Sequence, residues 1–141
     1  MNKKGKRIAA MVEQSVVGPL DPHYTGYFEL FNQGKFFEAH DVLEHLWLAD
    51  RQGPNGAFHK GLIQLAGAFV HLQRNRPPPA ASLFKLALAN LEKYPATHEH
   101  LNLKNICGLI GTWLADLERT QFKVNPLTAT NAPQLKLEAQ E

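Results

Sequence analysis

The chain has 141 residues, 44% of them hydrophobic, with 15 basic and 13 acidic side chains for a formal net charge of +2. That length and apolar content suit one folded domain with a real core and exclude a disordered polymer. Lys3, Lys4, Lys6 and Arg7 crowd the N-terminus and leave 11 basic against 13 acidic residues elsewhere, without the basic stripe a nucleic-acid surface needs, so no specific nucleic-acid partner is expected.

Residues 1–20 read as a basic arm with a weakly amphipathic stretch from Ile8 to Val17, closed by Gly18-Pro19. No sustained apolar h-region follows the cations, so no secretion signal is legible and a cytoplasmic location is the default expectation. No apolar run reaches the roughly 18 to 20 residues needed to span a bilayer; the richest, Gly61 to Leu72, is interrupted by Gln64 and His71.

Asp21-Pro22 has the chemistry of an N-cap followed by proline at the first helical position, and Tyr27, Phe28, Leu30 and Phe31 supply a helix that Gly34 closes. A second helix is predicted from about Phe36 to Asp50. Gln52-Gly53-Pro54-Asn55-Gly56 is a turn, and a third helix over Ala57 to Gln73, apolar nearly all round, should be the most buried element. Pro77-Pro78-Pro79 reads as the end of that region. A fourth helix is then expected from Ala80 to Tyr94, stopped by Pro95, and a fifth from Asn102 to Arg119 with Ile106, Leu109, Ile110, Trp113, Leu114 and Leu117 as its stripe. No strand-like alternation stands out, and no motif recurs at a fixed period, which excludes a repeat array. The prediction is an all-α single-domain bundle of about five helices with a central antiparallel helix hairpin, comprising a basic arm (1–20), a helical domain (21–119) and a C-terminal tail (120–141).

Cys107 is the lone cysteine; it excludes an intrachain disulfide and reads as a small hydrophobe in the last helix. His98-Glu99-His100 reads as an exposed loop, and Arg74 and Arg76 as compensation for the third helix's dipole.

The second helix carries the most chemistry. At roughly 100° per residue, His40, Glu44 and Trp47 share an arc with Phe36, Leu43 and Leu46, while Glu38, Asp41 and His45 face away. His40 and Glu44 are therefore expected to point inward, where unpaired polar groups are costly. On the third helix Gln64 and His71 share a face with Gly67 and Ala68. An antiparallel hairpin about the Gly53 to Gly56 turn sets Glu44 opposite Gln64 and His40 within a turn of His71, so a buried cluster of His40, Glu44, Trp47, Gln64 and His71 is expected.

Three uses fit such a cluster. One is an internal hydrogen-bond network that fixes helix register, with the Trp47 indole as a further donor. Another is a divalent transition metal held by His40, Glu44 and His71, the basis of a metal-dependent hydrolase; the sequence lacks both the doubled Glu-x-x-His of di-iron bundles and the His-Glu-x-x-His of zinc proteases. The last is a small-ligand site, or acid–base chemistry with Glu44 orienting His40. The leading expectation is a structural or ligand-sensing and interaction role, with a second copy or another protein as partner.

Phe36-Phe37-Glu38-Ala39-His40 through Glu44 and Trp47, joined to Phe58-His59-Lys60-Gly61-Leu62-Ile63-Gln64-Leu65-Ala66-Gly67-Ala68 and His71, resembles the bacterial and archaeal family known as domain of unknown function three-hundred-nine. The resemblance covers about Tyr24 to Arg119. It implies a small, cytosolic, all-helical domain whose signature residues match His40, Glu44, Trp47, Gln64 and His71, and it implies no activity. Leu43 stands where the family commonly has an aromatic residue.

Overall fold

Asp21 accepts a hydrogen bond from the His23 N–H at 2.8 Å, and Pro22, which needs no N–H partner, takes the first helical position. In the computed structural model, which describes residues 20–138, these residues open α1 (Pro22–Asn32). Gly34, at φ 76°, closes it: its N–H reaches the Phe31 carbonyl and the Lys35 N–H reaches that of Leu30, both at 2.9 Å. The left-handed residue is a glycine because that backbone conformation is strained for residues that carry a Cβ. The basic arm assigned to residues 1–20 lies, except for Leu20, outside the described residues, as do residues 139–141.

Next come α2 (Phe36–Ala49), α3 (Gly56–Gln73), α4 (Pro77–Leu91), β1 (Thr97–His98), β2 (Leu101–Asn102) and α5 (Leu103–Arg119). The described residues thus form an all-α bundle of five helices, with two short strands as its only sheet. No helix among them is long and apolar enough to cross a membrane.

Two starts depart from expectation. The three prolines begin α4 instead of ending the region before it, because first-turn residues have no intrahelical use for their N–H groups and proline's fixed φ suits that position. The segment His98-Glu99-His100 is the tip of an antiparallel hairpin in which His98 pairs with Leu101. Glu99 and His100 bridge it at φ 49° and 60°, the left-handed pair that a two-residue hairpin turn demands. Strands of two residues leave no alternation to read.

The core is aromatic. Phe69 of α3 lies 5.6 Å from the Phe31 ring, 5.1 Å from Phe36, 5.3 Å from Phe84 and 5.0 Å from Trp113, so it meets one ring from every other helix. α3 accordingly occupies the centre, with α2 on one side and α4 on the other. Gly61 lets α4 approach: a Cβ there would come within 2.8 Å of Leu91. α5 turns Leu103, Ile106, Ile110, Trp113 and Leu117 inward, and Asn102 caps it by accepting the Asn105 N–H at 3.0 Å. Cys107 is half-buried, and burial, with Glu92 nearby, pushes its thiol pKa up.

After α5 the chain is irregular yet docked. Asn125 donates its side-chain amide to the Leu72 carbonyl at 2.6 Å, and Leu135 is fully inside the core.

Candidate functional site

The buried stripe of α2 is Phe36, Ala39, Leu43 and Leu46. At roughly 100° per residue that stripe covers about 80° of the helix, and His40 and Glu44 lie about 80° and 120° from its middle. The expected interior position of these two residues is therefore corrected: the His40 side chain is 31% exposed and that of Glu44 39%. They stand on the shoulder of the helix, at the seam with α3.

The contacts along that seam follow the expected antiparallel register. Lys60 Nζ of α3 sits 4.3 Å above the Trp47 ring, and the Arg74 guanidinium 5.8 Å from the Phe37 ring. Between these two cation–aromatic pairs, α2 presents His40 and Glu44 while α3 presents Gln64, Gly67 and His71, all half-buried. The other wall is α4. Asn90 donates to Gln64 Oε1 at 2.8 Å, and Leu83 lies so near Gly67 that a Cβ there would meet it at 3.1 Å.

The cluster is thus spread along a polar seam. His40 Nε2 and Glu44 are the pair it brings together, at 3.9 Å, beyond hydrogen-bond reach; His40 Nδ1 is 3.1 Å from Asp41 instead. Gln64 bonds to α4 and not to Glu44. His71 sits at the far end, its Nδ1 buried without a partner among the described residues. Burial, then the nearby Arg76 and Arg74, lower its pKa from the ordinary histidine value, which favours the neutral ring. No three His, Cys, Asp or Glu side chains among the described residues are placed to hold a metal ion, so His40, Glu44 and His71 do not make a donor set.

A second polar constellation escaped the sequence reading. Asn55, before α3, has no capping bond to that helix; its side chain meets His98 Nε2 at 2.7 Å and donates to Glu99 Oε1 at 3.3 Å. Tyr94 takes over as cap: its hydroxyl accepts the Phe58 N–H at 2.9 Å and donates to the Pro54 carbonyl at 2.8 Å. The Tyr24 hydroxyl donates to the Glu99 carbonyl at 2.7 Å, which fixes the hairpin tip over α1. His59 is enclosed here, with the Tyr24 ring 6.3 Å away. Burial pushes its pKa down to about 4, against the upward pull of Glu99, Asp21 and Asp50. Asp21, whose side chain is 9% exposed, has one oxygen on His23 and the other buried without a partner among the described residues. His59 itself was visible in the first turn of α3, but of its carboxylate neighbours Asp21 precedes α1 and Glu99 sits on the hairpin, too distant in sequence for spacing to pair them with it.

The family model described as Domain of unknown function (DUF309) matches residues 24–83. An uncharacterized protein of Aquifex aeolicus (strain VF5) is 28% identical over 96 residues, which make up 68% of this chain and 28% of that protein. The chain therefore spans little more than a quarter of this relative's length. No solved structure matches. Neither description names an activity, so function has to be argued from the seam itself. The matched residues 24–83 include His40, Glu44, Trp47, Gln64 and His71, so the whole of the seam on α2 and α3 lies within the part of the chain that is similar to the DUF309 family.

Proposed function

We propose that the seam between α2, α3 and α4 is a recognition surface for a small polar ligand and that the domain is a binding module. One observation carries this reading: the polar side chains that α2 and α3 present along the seam are half-buried in a row and make no hydrogen bond to one another across it, Gln64 bonding to Asn90 of α4 instead. Glu44 stands 3.9 Å from His40, and His71 keeps an unpartnered nitrogen. An internal network would close such bonds, since buried polar groups left unpaired cost about 1–3 kcal/mol each. The surroundings favour a ligand with both hydrogen-bonding and anionic groups. Lys60 and Arg74 lie at the two ends, and Gln64 and Asn90 offer amides between them.

The test is a thermal-shift titration of the purified chain against small carboxylates, phosphates, amino acids and amines. A ligand held at about 100 times its Kd adds roughly 2.7 kcal/mol of stability. The expected result is a compound that raises the Tm of the wild type but not of Glu44→Gln or Gln64→Ala. No shift across the panel, with both variants losing about 1–3 kcal/mol, is the signature of a purely structural network and overturns the proposal.

A further inference from the structure

Beyond the helices, residues 132–138 run back across the bundle as an extended segment held through its main chain. Asn32, the last residue of α1, grips Leu135 with both ends of its amide. Nδ2 donates to the Leu135 carbonyl at 2.7 Å, and Oδ1 accepts the Leu135 N–H at 2.7 Å. Gln134 donates its side-chain amide to the Asn32 carbonyl at 3.0 Å, and the Glu138 N–H reaches the His100 carbonyl at 2.6 Å. Leu135 is 2% exposed and Leu137 is packed partly against the core, while Gln134, Lys136 and Glu138 face solvent. That is the period-two alternation of a strand laid on a surface. A track that reads main-chain groups and takes alternate leucines has the chemistry of an extended-peptide site.

The segment leading into it is held differently. Leu127 packs partly against the core, but residues 128–131 are all exposed. Their bonds are local: the Thr128 N–H reaches Asn131 Oδ1 at 2.7 Å, and Asn131 donates back to the Pro126 carbonyl at 2.8 Å. This turn is a natural hinge, with a reach of about 14 Å when extended.

We propose that the track from Asn32 to the His100 carbonyl is a docking site for an extended, leucine-bearing peptide, and that residues 132–138 of a second copy can replace the chain's own. Each bond of the track is to a group that every copy carries, so exchange loses none of them and requires only that the 128–131 turn open. Concentration then decides between closed monomer and tail-exchanged pair. This proposal is independent of the seam and its ligand.

Two full-length variants complement each other in the test. Asn32→Leu spoils the track and keeps the tail; Leu135→Asp keeps the track and spoils the tail. Circular dichroism first checks that each retains the wild-type helical content. In sedimentation equilibrium each alone is expected to stay monomeric, while their mixture gives a species of roughly twice the monomer mass. A mixture that stays monomeric at every concentration overturns the proposal. A second measurement uses the wild-type chain alone. A fluorescein-labelled peptide of residues 131–138 is expected to show an anisotropy rise that the unlabelled peptide competes away and a scrambled one does not. No rise, or equal competition by the scrambled peptide, also overturns it.

Discussion

His59 illustrates how enclosure controls a single side chain. With its pKa at about 4 in the folded chain and near 6.5 when unfolded, the unfolded state binds the extra proton between those values. Its contribution to stability is therefore complete above about pH 6.5, is lost as the pH falls to about 4, and changes little below that. The loss should be on the order of 3 kcal/mol, with His71 acting in the same direction. Urea unfolding at pH 7.5 and pH 4.5 should show this, and His59→Gln should flatten the dependence; an equally steep variant would remove His59 as the cause. Tyr94 offers a second residue-scale prediction. Its hydroxyl is both the cap of α3 and a donor to Pro54. Tyr94→Phe should cost about 1–2 kcal/mol in chemical denaturation, as the loss of a helix cap does. The two motifs named His40, Glu44 and Trp47 correctly as neighbours on one helix, but the inward turn assigned to them treated an arc of about 160° as one face, whereas the buried stripe of Phe36, Ala39, Leu43 and Leu46 covers about half of it. An alanine adds little to a tally of large apolar residues, yet at 0% exposure Ala39 belongs to the buried stripe, on the side away from His40 and Glu44.

Elements are fixed here by how closely their backbones meet. At Gly61 a methyl group would sit 2.8 Å from Leu91 and 3.2 Å from the Asn90 Cβ, so α3 and α4 must part or Leu91 must leave its rotamer. Gly61→Ala is expected to destabilise by about 1–3 kcal/mol through overpacking, even though alanine is the better helix former. An unchanged denaturation midpoint would show that Leu91 can give way freely. Four helix starts or stops were legible to within a residue or so, because caps, prolines and glycines act locally: Asp21-Pro22, Gly34, the Gly53 to Gly56 turn and Asn102. What misled was local as well. Three successive prolines look like a terminator until α4 is seen to use them as its first turn, and the hairpin at residues 97–102 depends on partners from α1 and the turn before α3.

Over the whole molecule, stability converges on one ring. Phe69 touches an aromatic from each of the other four helices, so Phe69→Ala should cost about 3–5 kcal/mol and loosen the bundle as a unit. Loss of near-ultraviolet dichroism with far-ultraviolet signal retained would report that outcome. α5 is the opposite case. It packs chiefly on α4, with Trp113 against Phe69 as its reach to the centre. Native-state hydrogen exchange should find its amides opening at lower free energy than those of α3; equal protection in the two helices would contradict this layout.

The two tryptophans of the chain fall on opposite sides of this division. Trp47, half-shielded by Lys60, borders the seam, whereas Trp113, 8% exposed, is sealed beneath α5. Nature has thus supplied a pair of separate optical reporters. Acrylamide should dim the first while sparing the second, so intrinsic fluorescence can distinguish occupancy at the surface from peeling of the last helix without any added label.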